Sequence, residues 1–296
     1  MHIGIAGTGK MGAAIATRLH SLGHQVTVWN RTASRAKPLL DSGMAWAETP
    51  QALADATDMV VSIVTNEQAL DDVYLSPTGL LKAQKPDRLF IEMSTVPPAK
   101  QEALSQLAQA AGMSYLECPV SGSIGPAKEG KLMGFAGGSP QVLARARPAL
   151  DAMCRRVEHV GPHGAGARMK LAINLPLMLY WQTLGEALSL IEPLGLDPQM
   201  VVELFTESSG GPNMLKIRGG MLAQALSGQP SEQVTVQLAT MRKDVRAMLT
   251  QIQSMGRSAP LTEQTLRQFD RAAEQGMDEA DCARYPSWWL RSQSGQ

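Results

Sequence analysis

The sequence predicts two domains of different class, an N-terminal α/β domain built on a parallel sheet and an all-helical C-terminal domain. Through the first half, short apolar runs such as residues 59–64 and 89–93 alternate with helical patterns, and this alternation builds a parallel sheet covered by helices. The second half, by contrast, carries only long helical patterns. A chain of 296 residues also exceeds the usual size of one hydrophobic core. We therefore expect an α/β domain over residues 1–162 and a helical domain over residues 163–296, joined by a long helix at 167–192.

The first element is an apolar strand at residues 2–6, and a glycine-rich turn follows it. Three glycines in this turn have the G-x-G-x-x-G spacing, and a helical pattern continues at residues 13–20. In a dinucleotide-binding turn the first glycine permits a tight bend, the second lets a pyrophosphate approach the backbone, and the third lets the helix pack against the strand. The helix N-terminus offers N–H groups and a partial positive charge to the phosphates. The pattern predicts a Rossmann domain whose cofactor-binding turn comprises Gly7, Gly9, Lys10, Met11 and Gly12.

The end of the second predicted strand, residues 25–29, indicates which dinucleotide binds. An NAD site places Asp or Glu there to bond the ribose 2′-hydroxyl, but this chain has Asn30, Arg31 and Thr32. A guanidinium binds a 2′-phosphate through paired charge-assisted hydrogen bonds, whereas a carboxylate repels it. Asn30 and Thr32 add neutral donors, and Arg35 lies one turn further along. We therefore predict NADPH as the cofactor, the alternative being that Arg31 is an ordinary solvated loop residue.

Two further strand ends are expected beside the dinucleotide, because ligands of such sheets bind beyond the carboxyl ends of the strands. The first is Val64-Thr65-Asn66 and the second is Ser94-Thr95. We assign Val64, Thr65 and Thr95 to the cofactor site. For Asn66, an ordinary polar loop start is equally compatible with the sequence.

The predicted linking helix opens with the sequence GPHGAGARMKLAIN, in which the glycines give a flexible approach. Lys170 and Asn174 are four residues apart and so share one helix face. An ammonium and an amide that point into an interdomain cleft suit proton transfer to a carbonyl oxygen whose carbon receives a hydride. Partial burial lowers the pKa of a lysine towards the range that a general acid or base needs. We predict Lys170 and Asn174 as catalytic residues, against the alternative of a solvated helix face.

A run of small residues follows the predicted strand at residues 114–117. It contains Ser121, Gly122 and Ser123. A serine hydroxyl and successive backbone N–H groups can together bind a carboxylate, as anion-binding nests do. We predict that these three residues bind a substrate carboxylate, and a plain small-residue turn is the alternative.

Composition and charge narrow the functional class. The formal net charge is zero, and no basic stripe of the kind that indicates nucleic-acid binding is found. Three cysteines are too few and too scattered for a disulfide framework or a zinc site, so we expect no bound metal. The sequence starts directly with a strand rather than a targeting segment, and no apolar run is long enough to cross a bilayer. These features predict a cytoplasmic enzyme without nucleic-acid or membrane partners.

Taken in order, these motifs resemble the β-hydroxyacid dehydrogenase family, which includes 3-hydroxyisobutyrate dehydrogenases and glyoxylate/succinic semialdehyde reductases. The resemblance covers nearly the whole chain. The motifs that carry it are the GTGKMG turn, Ser94-Thr95, PVSGS, the GxGxxxKxxxN stretch and Arg242-Lys243-Asp244. Several motifs in the right order are more specific than any one of them.

The resemblance also implies roles for individual residues. Lys170 is then the catalytic acid/base, with Asn174 orienting the substrate. Ser121 and Gly122 bind the substrate carboxylate. Lys243 approaches the cofactor or substrate from the helical domain, with the next residue, an aspartate, holding it in place. Members of the family are commonly dimers or tetramers built through the helical domain, so we expect a homodimer or homotetramer.

The expected function is hydride transfer between NADPH and a small β-hydroxyacid or its semialdehyde or keto acid. Two alternatives stay open. One is an imine reductase of the same architecture, a class that usually replaces the lysine with another proton donor. The other is a non-catalytic NADPH-binding protein, which tends to lose the lysine or the carboxylate loop. The aromatic run at residues 285–289 differs from the family pattern, and an aromatic side chain near the site would favour a bulkier substrate.

Overall fold

The computed structural model describes residues 1–293, which form two compact units. The first is Met1–Lys170 and the second begins at Leu171. The first unit contains a mostly parallel sheet with helices and the second is helical, which confirms the predicted fold class. The boundary between the units lies inside one long helix, shortly after the boundary predicted between residues 162 and 163.

Nine strands of the first unit form one sheet. Their order is β3-β2-β1-β4-β5-β6-β8-β7, with β9 paired to β8. The pairs from β3 to β6 are parallel, β8 runs antiparallel to β6 and β7, and β9 is parallel to β8. The strands are β1 (His2–Ala6), β2 (Gln25–Trp29), β3 (Ala45–Trp46), β4 (Met59–Ser62), β5 (Leu89–Glu92), β6 (Ser114–Glu117), β7 (Val120–Ser121), β8 (Leu132–Gly137) and β9 (Cys154–Gly161).

Helices of the first unit cover both faces of this sheet. They are α1 (Lys10–Ser21), α2 (Lys37–Leu40), α3 (Pro50–Ala56), α4 (Glu67–Tyr74), α5 (Pro98–Ala110), α6 (Ile124–Glu129), α7 (Pro140–Met153) and the first turns of α8 (Ala165–Ser189). Successive strand side chains point to opposite faces. Accordingly Val61 and Ile91 belong to one buried apolar cluster, whereas Val60 and Phe90 belong to another. This double burial explains why the central strands are apolar without alternation.

The carboxyl ends of the five central strands are aligned in one row across the sheet. The register pairs Trp29 with Ala6, Ala6 with Ser62, Ser62 with Glu92, and Glu92 with Glu117. Backbone hydrogen bonds continue one residue beyond this row in four of the five strands: examples are Gly7 N to Trp29 O at 2.9 Å and Ile63 N to Ala6 O at 3.0 Å. The loops that follow these strands therefore start from one edge of the sheet.

Strand β9 has no counterpart in the sequence prediction. It is an edge strand with the sequence CRRVEHVG, in which only Cys154 and Val157 are buried. Its exposed positions carry arginine and glutamate, and charged side chains on an edge discourage pairing with other chains. Those charges also break the apolar pattern by which a strand is recognised, which is why the prediction missed it.

The second unit contains the rest of α8 and five further helices within the described residues. They are α9 (Pro198–Glu207), α10 (Asn213–Leu226), α11 (Leu238–Ser254), α12 (Pro260–Ala272) and α13 (Tyr285–Gln293). Immediately before α11, Gln237 forms an isolated bridge with Asp281. Within residues 1–293 no helix combines the length and the apolar character that crossing a membrane requires.

The aromatic run at residues 285–289 is part of the core of the second unit. Tyr285 is fully buried and its ring lies 4.8 Å from that of Phe269, while Trp288 is 9% exposed. Helix α8 also packs closely against this run, because a Cβ added at Gly185 would lie 3.0 Å from the indole of Trp289. These side chains stabilise helix packing in the second unit, so the run does not by itself indicate a bulky substrate.

A buried aspartate joins the segments of the second unit. Asp281 has no exposed surface and accepts hydrogen bonds from the N–H groups of Thr235 (2.6 Å), Val236 (3.0 Å) and Ala283 (2.9 Å). Arg218 approaches its other side at 3.4 Å. Burial alone would raise the pKa of Asp281, but a hydrogen bond from the hydroxyl of Thr235, together with those from the N–H groups, holds it below its ordinary value.

We expect Asp281→Ala to lower the free energy of unfolding by about 3 kcal/mol at pH 7, because it leaves buried donors and a cation without an acceptor. A carboxyl whose pKa is lowered by folding stabilises above its unfolded pKa and loses this effect as the pH falls. The difference from wild type should therefore shrink below about pH 4. Urea unfolding at several pH values measures it, with the half-exposed Asp278→Ala as control at under about 1 kcal/mol. An equal decrease in the free energy of unfolding for the two variants would contradict the stabilising role of Asp281.

Candidate active site

The three glycines of the first turn have three different environments. Gly7 has φ +102°, and a Cβ there would lie 2.4 Å from the carbonyl oxygen of Ile63. A Cβ on Gly12 would lie 1.9 Å from the carbonyl oxygen of Gly7. Around Gly9, by contrast, no atom lies within 4 Å of the added Cβ. Gly7 and Gly12 are thus required by the fold itself, whereas Gly9 keeps an open surface accessible to a ligand.

The N-terminus of α1 fits an anionic ligand. Gly9 precedes the helix without a side-chain cap, and no acidic residue lies in its first turn. The first N–H groups of a helix have no partner within the helix and carry partial positive charge. The hydroxyl of Thr8 is buried and has no hydrogen-bond partner among the described residues. The predicted turn, with Lys10 and Met11 at the start of α1, therefore suits a dinucleotide pyrophosphate.

The segment after β2 contains a structural asparagine and an exposed arginine. Oδ1 of Asn30 accepts from the N–H of Thr8 at 3.0 Å, and its Nδ2 donates to the carbonyl of Thr32 at 2.9 Å. Asn30 therefore connects the glycine turn to the end of β2, a role that the sequence did not predict. Arg31 is 74% exposed, and its guanidinium lies 3.3 Å from Asp72. Such an exposed pair contributes little stability, so an incoming phosphate can compete for this guanidinium.

Hydrogen bonds connect the next two strand ends. The N–H of Val64 donates to the hydroxyl of Ser94 at 2.8 Å, and the N–H of Ser94 donates to the buried carboxylate of Glu92 at 2.8 Å. Val64 and Thr95 are half-buried and Thr65 is exposed at this same edge of the sheet. The side chain of Asn66 accepts from the N–H of Ala69 and caps α4. Helix capping therefore explains why an asparagine stands at position 66.

Two buried glutamates lie side by side in the aligned row. Glu92 and Glu117 have no exposed surface and are register partners in β5 and β6. Burial raises the pKa of each carboxyl to about 7, although hydrogen bonds from Ser94 and Gln101 oppose the shift in Glu92 and the N–H of Gly166 opposes it in Glu117. Sequence reasoning missed both. Their signal was an acidic residue closing the apolar runs LFIE and SYLE.

The predicted catalytic pair lies on α8. Lys170 is 9% exposed and Asn174 is 8% exposed, which excludes the solvated helix face that the sequence left open. Lys170 is the last residue of the first unit, and Asn174 belongs to the second. Helix α8 continues through Pro176.

The predicted carboxylate loop follows β7 in the first unit. Ser121 is half-buried, and Gly122 and Ser123 are exposed. Gly122 has φ +131°, and a Cβ there would lie 2.7 Å from the side chain of Leu132. The loop therefore needs glycine at its centre, and it leaves two serine side chains accessible beside an exposed backbone.

In the second unit, α11 carries the Arg242-Lys243-Asp244 motif. The ammonium of Lys243 lies 3.0 Å from the carboxylate of Asp244, which is itself buried. Arg242 binds Asp270 at 2.7 Å and Asp278 at 2.6 Å. Arg242 thus connects α11 to the end of α12 and the segment after it, while Lys243 is the partly exposed cation of the motif.

Comparison with known proteins accounts for both units. Residues 2–161 match the family described as the NAD binding domain of 6-phosphogluconate dehydrogenase. Residues 164–287 match the family described as NAD-binding of NADP-dependent 3-hydroxyisobutyrate dehydrogenase. The chain belongs to the β-hydroxyacid dehydrogenase family. The predicted resemblance is thereby confirmed, as is a nicotinamide dinucleotide as cofactor.

Three similar proteins illustrate the range of this family. A 3-hydroxyisobutyrate dehydrogenase of Pseudomonas aeruginosa is 32% identical, with 88% of each chain covered. An NAD-dependent L-serine dehydrogenase of the same organism is 30% identical, with 94% of each chain covered. The structure of Psf3 in complex with NADP+ and 2-OPP is 29% identical, with a TM-score of 0.84 and coverage of 96% of this chain and 99% of that one. The relatives thus include proteins described with either dinucleotide.

The open surface of Gly9 leads to a prediction about cofactor binding. Gly9→Ala should weaken dinucleotide binding by about tenfold or more, which corresponds to about 1.4 kcal/mol, without changing the melting temperature. Gly12→Ala should instead lower the free energy of unfolding by about 1–3 kcal/mol, because the methyl group overlaps the carbonyl of Gly7. Titration of nucleotide fluorescence and thermal melts separate the two effects. Normal binding by Gly9→Ala would show that the pyrophosphate does not approach this surface.

Proposed function

We propose that this protein is an NADP-dependent oxidoreductase that interconverts a small β-hydroxyacid and its semialdehyde or keto acid. The observation that carries the proposal is the burial of Lys170, which belongs to the same unit as the dinucleotide turn and the serine-rich loop. A lysine shielded from bulk water beside the predicted cofactor and substrate residues suits proton transfer better than one on a solvated face. Membership of a family of hydroxyacid dehydrogenases supplies the reaction class.

In the proposed reaction each group has one task. When bound, the reduced nicotinamide supplies a hydride to the carbonyl carbon. Lys170 donates a proton from Nζ to the carbonyl oxygen, and it accepts that proton in the oxidative direction. The hydroxyl of Ser121 and the N–H of Gly122 donate to the substrate carboxylate, with Ser123 beside them. Asn174 orients the substrate oxygen.

The preference for NADPH is the second part of the proposal. Arg31 is exposed directly after β2, and no acidic residue occupies the three positions that follow this strand. A 2′-phosphate would exchange the weak surface pair with Asp72 for charge-assisted hydrogen bonds. The other proposed contacts are the glycine turn, Thr32, Val64, Thr65, Thr95 and Lys243.

We also propose that the protein assembles as a homodimer or homotetramer through its second unit. The five most exposed large apolar side chains of the described residues all lie in that unit, with exposed fractions from 59% to 82%: Leu190, Leu194, Leu204, Ile217 and Leu261. Covering such side chains with a second copy of the chain removes apolar surface from water.

Substitution of Lys170 tests the reaction. Lys170→Ala should reduce kcat by about 10²–10⁴-fold, because a general acid contributes that factor, while NADPH affinity stays unchanged. The measurement is NADPH oxidation with succinic semialdehyde, glyoxylate, tartronate semialdehyde and methylmalonate semialdehyde. The exposed Lys131→Ala is the control and should retain full turnover. Undiminished turnover by Lys170→Ala would refute the assignment, and activity with a cyclic imine alone would indicate an imine reductase.

Substitution of Arg31 tests the cofactor. Arg31→Ala should raise the KM for NADPH by about 10–100-fold through loss of the charge-assisted hydrogen bonds, and it should leave the KM for NADH within about threefold. Arg156→Ala, which removes another exposed arginine that pairs with a surface carboxylate, in β9, should change neither constant. If wild type uses both dinucleotides with equal efficiency, the proposed preference is wrong.

A further inference from the structure

The first turn of α8 contacts a buried carboxylate of the sheet. The N–H of Gly166 donates to Oε1 of Glu117 at 2.7 Å, and Glu117 has no exposed surface. Two glycines make this approach possible. A Cβ on Gly137 would lie 2.0 Å from that same oxygen, and a Cβ on Gly166 would lie 2.3 Å from the carbonyl oxygen of Phe135. All of these residues belong to the first unit.

The start of α8 needs a partner from outside the helix. The first N–H groups of any helix have no intrahelical acceptor, and they favour negative charge. No acidic residue lies in the first turn of α8. Gly161 and Gly164, which lead into the helix, both have positive φ, a backbone conformation that glycine adopts without strain. Glu117 supplies the acceptor that the helix itself lacks.

We infer that Glu117 is a positioning residue that fixes the first turn of α8 and thereby the place of Lys170. Gly166 precedes Lys170 by four residues, so the anchored residue and the lysine lie one turn apart on the same side of the helix. A rigid turn transmits the position of Gly166 to the Lys170 backbone. The inference rests on the proposed role of Lys170, since displacement of a reacting group by about 1 Å can cost about 10²-fold in rate.

A second carboxylate contacts the same turn and provides a matched control. Oε1 of Glu102 lies 3.2 Å from the guanidinium of Arg168, and both side chains are about half exposed. An exposed pair of this kind contributes little. If any carboxylate near the helix start sufficed, Glu102 and Glu117 would be equivalent. The buried contact predicts that only Glu117 matters.

Two measurements on the full chain test the inference. The first is hydrogen–deuterium exchange of peptides covering residues 162–172, and the second is steady-state kinetics with NADPH. Glu117→Ala should speed exchange in these peptides and lower kcat by about 10–100-fold, with an unchanged KM for NADPH. Glu117→Asp keeps the charge but shortens the reach, so it should behave like the alanine variant. Glu117→Gln keeps an oxygen acceptor and should retain kcat within about threefold.

Controls separate positioning from general loss of stability. Glu102→Ala should leave both exchange and kcat unchanged. Tyr74→Phe removes a buried hydrogen bond to Ser62 in the same unit. It should lower the melting temperature without speeding hydrogen–deuterium exchange at residues 162–172. If Glu117→Ala does not fold, Glu117→Asp takes its place.

The outcomes distinguish this inference from the proposed function. Unchanged exchange at residues 162–172 in Glu117→Ala and Glu117→Asp would overturn the anchoring, whatever the activity. Faster exchange with wild-type kcat would overturn the positioning of Lys170. If the wild-type protein reduces none of the carbonyl substrates, the proposed function fails, while the exchange experiment still decides whether Glu117 holds the helix.

Discussion

The alignment of five strand ends in one register is the constraint on which the rest of the first unit depends. Because Trp29, Ala6, Ser62, Glu92 and Glu117 occupy one row, the loops that follow them leave the sheet at one edge. A shift of a single residue in any strand would move its buried side chains to the opposite face of the sheet, and apolar clusters on both faces oppose that shift. The proposed cofactor and substrate contacts of this unit are therefore placed by sheet packing before any loop contributes. The loops after these strands therefore begin at positions that the core has fixed.

Side-chain hydrogen bonds then fix the segments that follow the strand ends. Asn30 connects the glycine turn to the end of β2, Ser94 connects the ends of β4 and β5, and Glu117 connects the end of β6 to α8. Each is a polar side chain that hydrogen-bonds to the backbone of a neighbouring segment, and removing it leaves a backbone group without that partner. The burial of Glu92 and Glu117 carries an electrostatic penalty, seen in the raised pKa of both carboxyls. In return, the two carboxyls hold the backbone of Ser94 and of Gly166 by hydrogen bonds. Both contacts lie at the edge where ligands of α/β sheets bind.

The sequence predicted the parts of this structure that have a local signature. The G-x-G-x-x-G spacing, the apolar runs and the order of later motifs were sufficient for the two-unit fold and the family, and Gly7 and Gly12 proved to be as crowded as that spacing requires. What it missed depends on contacts between distant segments. The charged side chains of β9 break the apolar pattern by which a strand is recognised. Asn30 bonds to the glycine turn only when β2 lies beside that turn. Glu117 and Gly166, which form a hydrogen bond, are 49 residues apart in the sequence. The role of the aromatic run at residues 285–289 stayed open for the same reason, since its burial against α12 is invisible in the sequence.

We propose that the chain moves a hydride from NADPH to the carbonyl carbon of a small acid. The most direct measurement is a reaction with NADPH deuterated at C4, prepared separately in each of the two configurations, with mass spectrometry of the hydroxyacid formed. We expect one deuterium per product, on the carbinol carbon, from one of the two forms and none from the other. Oxidation of NADPH that yields an unlabelled hydroxyacid from both forms would contradict it.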